Sequence, residues 1–132
     1  MIIKLDFESE IPIYLQIRNE VVKGIGKGQL AIGEQLPTVR SLANDIGINA
    51  MTVNKAYALL KKEGFITIER RHGAKISPRY QSNIDYSERL VSELDLLTSE
   101  AAIRGCDKET FLRLCEQVYQ SIHVRRLEDE KI

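Results

Sequence analysis

The chain has no tryptophan, two cysteines, two histidines and three prolines, and its formal net charge at neutral pH is zero. Each scarcity closes off a class of function. Cys106 and Cys115 form no CxxC pair and have no clustered histidines beside them. Metal and redox roles are therefore not expected, and the thiols read as buried or half-buried residues of a cytosolic protein. His72 and His123 each lack a serine or cysteine partner in a shared motif, and no glycine loop is built to cradle phosphate. These absences leave no credible catalytic constellation, so no enzyme and no cofactor are expected. The longest unbroken apolar run, Ala56 to Leu60, is five residues, against the roughly 20 that a membrane helix needs. The opening MIIKLDFESE turns acidic before a signal-peptide core can form. No membrane association is expected. A length of 132 residues suits one modest core with a small appendage, too little for an added sensor domain of ordinary size.

The zero net charge hides a polarised chain. Residues 1–37 hold four Lys/Arg against five Asp/Glu, residues 38–79 eight against three, and residues 80–132 seven against eleven. The three segments thus carry −1, +5 and −4. The middle segment suits an anionic partner, and the acidic end would be held away from it.

Within that basic segment, Val39, Leu42, Ala43 and Ile46 form the apolar stripe of a short amphipathic helix, with Thr38 as its N-cap. Gly47 supplies a left-handed residue after the last periodic position, and Asn49 can cap a second helix. This second helix buries Val53, Ala56, Tyr57 and Leu60 and ends at Gly64. Its opposite face carries Met51, Lys55, Ala58 and Lys62, flanked by Thr52 and Asn54. That face is small or polar at its N-terminal turn and basic farther on, which fits a groove of duplex DNA. Asn54 can read an adenine edge, Lys55 a guanine or a phosphate, and Thr52 or Met51 a thymine methyl. Next, Phe65 to Glu69 and Ala74 to Ser77 read as a hairpin whose tip carries Arg70, Arg71, His72, Gly73 and Lys75. Such a basic tip, with a glycine that permits positive φ, can approach a minor groove. His72 there is either a solvent-exposed turn residue or a groove contact. Helix, turn, helix and hairpin make a winged helix.

The stretch LPTVRSLANDIGINAMTVNKAYALLKKEGFITI resembles the DNA-binding domain of the GntR family of bacterial transcription regulators. The preceding PIYLQI and the short helical end are similar to its YtrA subfamily, whose members lack a sizeable ligand-binding domain. The resemblance implies a phosphate contact for Arg40, groove positions for Asn49, Met51, Thr52, Asn54 and Lys55, and wing-tip positions for His72 and Gly73. Where the subfamily usually has Gly-x-Gly in the wing, this chain has Arg71, His72 and Gly73, a more electrostatic tip. Ala50 stands where subfamily members often carry a helix-starting proline.

The remaining chain is read as support and pairing. Pro12 starts a scaffold helix that buries Tyr14, Ile17, Val21 and Ile25, with Arg18 and Lys23 solvated or near DNA. Gly24, Gly26 and Gly28 are expected to fray its end, Phe7 to cover the core, and Gln35 with Leu36 to add a third strand beside the wing. The stretch from Pro78 to Asn83 is a turn-prone link and a candidate hinge. From Ser87, Leu90, Leu94, Leu97 and Ala101 mark one helix; after Gly105, Asp107 caps another with Phe111, Cys115, Val118 and Ile122 on one stripe. These two helices are too small to bury both stripes alone, which predicts a homodimer. The final RRLEDEKI reads as a solvated end.

The expected fold is mainly α with a small β wing (α+β): a winged helix-turn-helix over residues 1–79, then a two-helix dimerisation tail over 80–132. The expected function is a dimeric repressor binding partly palindromic operator DNA, autoregulating an operon that can include transporter genes, the last two implied by the resemblance. Two other readings stand beside it. One is a sensor gated by a small-molecule effector or a metal, with Cys106, Cys115, Tyr119 and His123 as candidates. The other is a winged helix used for protein contact.

Overall fold

The computed structural model describes residues 3–71, 73–78 and 84–127. In order, the elements are α1 (Ile13–Gly26), α2 (Val39–Ile46), α3 (Ala50–Lys62), β1 (Ile66–Glu69), β2 (Gly73–Ile76), α4 (Ile84–Ile103) and α5 (Lys108–Tyr119). The fold is mainly α with a small β wing. It divides into two compact units, Met1–Tyr80 with His123–Ile132, and Gln81–Ile122. Among the described residues no helix is long and apolar enough to cross a membrane.

The first unit grows from local signals. Pro12, with φ fixed near the helical value, leads into α1. The Thr38 side chain accepts from the Ser41 N–H at 3.0 Å and opens α2. Gly47 closes α2 at φ 69°, its N–H on the Ala43 carbonyl, and this left-handed turn is one that a side chain with a Cβ adopts only at a cost. Two residues later the Asn49 side chain accepts from the Met51 N–H at 2.8 Å and opens α3. The stripes meet in one core: Ile17, Val21 and Ile25 of α1, Leu42 and Ala43 of α2, and Val53, Ala56, Tyr57 and Leu60 of α3. The wing joins them through Ile66, Ala74 and Ile76. Its strands pair antiparallel from Ile66 opposite Ile76 to Glu69 opposite Gly73.

Several expectations need correction. The sheet is two-stranded. The segment before it contributes a single antiparallel bridge, Gln35 to Lys75, with the Leu36 N–H on the Ala74 carbonyl at 2.9 Å. On the other side of that bridge the Ile76 N–H donates to the Glu34 carbonyl at 2.8 Å. Helix α1 does not fray at its glycines but runs to Gly26, because the bare Gly24 surface lets Leu30 pack against it: an added Cβ there would stand 3.1 Å from Leu30 Cδ1. Phe7 is 68% exposed, and Ile3 and Leu5 pack on the core in its place.

The segment from His123 to Leu127 is also not free. His123 donates its N–H to the Gly26 carbonyl at 2.7 Å, Ile32 donates to Arg125 at 2.8 Å, and Leu127 donates back to Ile32 at 3.0 Å. The result is a parallel bridge between Ile32 and Arg126, and Arg125 Nε donates to the Gly28 carbonyl. Gly28 is what admits this segment. Its φ is +77°, and a Cβ at that position would lie 2.5 Å from the His123 carbonyl oxygen. The winged-helix unit therefore includes residues beyond 1–79, and the part of RRLEDEKI from Arg125 to Leu127 is a clasp on the loop after α1, not a solvated end.

The second unit is a helical hairpin. Helix α4 begins at Ile84, before the expected Ser87. After a turn at Gly105, the Asp107 side chain accepts from the Thr110 N–H at 2.9 Å and caps α5. Those hydrogen bonds with Thr110 hold the exposed Asp107 carboxyl below its ordinary pKa. Helix α5 has no buried residue. Leu90, Leu94, Leu97, Val118 and Ile122 are all exposed, while Ala101, Phe111 and Cys115 are half-buried.

Candidate nucleic-acid interface

The exposed side of α3 is set by what its other side must bury. With Val53, Ala56, Tyr57 and Leu60 turned into the core, residues 51, 54, 55, 58 and 62 face outward along one stripe, three and four positions apart. Met51 is 79% exposed, and Asn54, Lys55, Ala58 and Lys62 are exposed with it, Thr52 half-buried at the flank. The first turn of α3 contains no acidic residue and the last turn contains Lys61 and Lys62. The positive end of the helix dipole is thus left uncompensated by carboxylates and open to an anion.

Helix α3 is pinned in place behind this face. The Tyr57 hydroxyl donates to the Pro37 carbonyl at 2.8 Å, tying α3 to the loop that starts α2. Burial pushes that hydroxyl up to about 12 from an ordinary 10.0.

The cap residues turn out to be occupied. Thr38 and Asn49 each use a side-chain oxygen on a helix N–H, so what Asn49 retains for a base or phosphate is its amide NH₂. Arg40, in the first turn of α2, is exposed, and among the described residues it makes no ion pair. The wing presents Arg70, Arg71 and Lys75 exposed, beside Gly73 at φ 71°. His72 lies outside the described residues.

Two cations on α1 separate here. Arg18, expected to be solvated or near DNA, is instead a fold residue: its Nε and Nη2 grip the two Glu63 carboxylate oxygens at 2.9 and 3.0 Å, and its guanidinium lies 5.3 Å from the Phe65 ring centroid. Lys23 pairs with Glu20 at 2.9 Å. On the reading face, Lys55 Nζ lies 4.1 Å from the Tyr14 ring centroid. Tyr14 was expected as an ordinary core residue, and no spacing within one helix could signal a pairing made between α1 and α3.

Among the described residues no group of three or more His, Cys, Asp or Glu could hold a metal ion. The sensor candidates are divided between the two units. Cys106, Cys115 and Tyr119 belong to the helical hairpin, while His123 starts the segment that returns to the winged helix.

A family model, bacterial regulatory proteins of the gntR family, matches residues 13–76, from the first residue of α1 to the last of β2. The chain is similar to the HTH-type transcriptional repressor YtrA of Bacillus subtilis (strain 168), at 39% identity over 82 residues, 62% of this chain and 63% of that protein. It therefore spans less than two thirds of that repressor's length. Among solved structures, it is similar to YtrA from Sulfolobus acidocaldarius, a GntR-family transcription factor, at 37% identity and a TM-score of 0.60, covering 74% of this chain and 99% of that one. A structure described as a transcriptional antiterminator from Listeria monocytogenes EGD-e shares the fold at a TM-score of 0.85 and 24% identity, covering 96% of this chain and 97% of the other.

Proposed function

Since the chain belongs to the GntR family of bacterial regulatory proteins, alongside YtrA-type members, we propose that it is a cytoplasmic, homodimeric transcription repressor that reads a partly palindromic operator through two copies of α3 and its wing. The observation that carries this reading is the outward stripe of α3. Met51, Asn54 and Lys55 are exposed together at the N-terminal half of a helix that turns Val53, Ala56, Tyr57 and Leu60 into the core. Small polar and apolar groups of this kind match base edges and a thymine methyl, and the exposed Arg40, Arg70, Arg71 and Lys75 would supply phosphate contacts that set affinity without reading sequence.

A second copy is the natural cover for the exposed stripes of α4 and α5, and a two-fold dimer would read two half-sites about one helical turn apart. Repression would follow from occupying promoter DNA, and the chain's own operon is the first place to look for that DNA.

The test is a salt-dependent binding titration of the purified protein against duplex selected from random sequence, beside a scrambled duplex. Asn54→Ala should cost about 1–3 kcal/mol on the selected duplex alone. Arg71→Ala should weaken both duplexes and reduce the salt slope by about one unit. An Arg71→Ala protein with unchanged affinity and slope would remove the wing from the interface.

A further inference from the structure

The reading face is not made by α3 alone. Lys55 is the one basic side chain in the first nine residues of α3, and it pairs with no carboxylate among the described residues. A lysine so placed would sample many rotamers, and fixing them on DNA costs entropy. Here its ammonium already lies 4.1 Å from the centre of the Tyr14 ring, and Tyr14 is itself held, partly buried against the core. A ring face attracts a cation at that distance, so one rotamer is favoured before any ligand arrives.

The neighbouring pair on α1 shows what this arrangement lacks. Arg18 also lies over an aromatic ring, but Glu63 takes its Nε and Nη2 donors and the Asn19 side-chain oxygen accepts from its Nη1 at 3.0 Å, and its charge is spent within the fold. Lys55 has the ring without the carboxylate. Its position is restrained while its charge stays available to a phosphate or a guanine edge.

We propose that Tyr14 is a positioning residue for sequence reading: its ring holds the Lys55 ammonium in the rotamer used in the groove, so that part of the operator's preference depends on a residue of α1 that need not touch a base. This rests on the reading of α3 as the groove helix. Pre-ordering one long side chain changes affinity modestly. The expected loss on removing the ring is about two- to fivefold on the operator.

The test is a double-mutant cycle on the full chain, using a duplex selected from random sequence by the wild-type protein and a scrambled duplex. Tyr14→Leu should lose about two- to fivefold on the selected duplex and little on the scrambled one. Tyr14→Phe, which keeps the ring, should bind like wild type, and Tyr14→Leu should add nothing in a Lys55→Ala background. The Lys55 ε-proton resonances of the free protein should be shifted upfield by the ring, a reading that does not need the Leu variant to fold. Random-coil ε-proton shifts would overturn the proposal, as would a Tyr14→Leu loss that persists in Lys55→Ala or falls equally on both duplexes. If instead the wild-type protein selects no sequence at all, the groove-helix reading fails and takes the proposal with it, an outcome distinct from preserved selection with additive mutations.

Discussion

The two units of this molecule are built from the same material and finished to different degrees. In the winged helix, stripes spaced at three and four residues close on one another, and Ile17, Val21, Val53, Ala56 and Leu60 are fully buried. In the helical hairpin the same spacing leaves Leu97 53% and Val118 63% exposed. The difference lies in the number of faces available. Three helices and a wing can surround a core, whereas two helices can offer each other one side, and apolar stripes wider than that side stay open. A unit that buries its stripes can hold side chains such as Asn54 and Lys55 in place for recognition. A unit that leaves them open is suited to pairing with another.

This contrast predicts a graded set of mutational effects. The largest should fall in the finished core: Leu60→Ala, at a position with no exposure, should cost about 2–5 kcal/mol in chemical denaturation of the winged-helix unit. Next is the clasp at the end of the chain. Gly28→Ala must place a side chain at φ +77° and against the His123 carbonyl, an expected cost of about 1–3 kcal/mol, with faster amide exchange at Ile32 and Leu127 as its local signature. Unchanged exchange at both would mean that the returning segment does not depend on this glycine.

Smaller still is the effect at Tyr57. Its neutral hydroxyl is favoured in the fold, where the pKa stands at about 12 against an ordinary 10.0. The associated stability is therefore complete below pH 10 and declines as pH rises toward 12. Tyr57→Phe should cost about 1 kcal/mol at neutral pH through the lost bond to Pro37 and should remove that alkaline decline, as read by denaturation series at several pH values. Smallest in folding energy are the open stripes. Leu97→Glu with Val118→Glu should change folding of the single chain by no more than about 0.5 kcal/mol per site, yet should shift sedimentation from dimer to monomer. A double variant that sediments as wild type would mean that these stripes are not the pairing surface.

How much of this could be read from the sequence depends on how far apart the partners lie. Helices α2 and α3 were legible because their signals are local: Thr38, Gly47 and Asn49 fix ends within one turn, and the buried stripe of α3 fixes which residues face outward. The wing was legible for the same reason, from a β-branched run and a glycine turn. Contacts between distant segments left no such trace. The Arg18 grip on Glu63 spans 45 positions, and nothing in the spacing of α1 separates a solvated arginine from a tethered one. The bond from Arg125 to Gly28 spans 97, within a clasp made largely of backbone groups. Gly24 within α1 and Gly28 just after it carried a signal, but for close approach of Leu30 and of the returning segment and not for fraying. Tyr14 does pack against the core as its place on the stripe implies, but a tyrosine on an apolar stripe looks the same whether or not its ring also meets a lysine.

The central claim, a finished reading unit brought to DNA in pairs, is tested most directly by hydroxyl-radical footprinting on duplex selected by the wild-type protein. The account predicts two protected patches on one face of the DNA, related by two-fold symmetry and separated by about one helical turn or a multiple of it. A single asymmetric patch at saturating protein would contradict the paired arrangement, and uniform protection without patches would contradict sequence reading by α3.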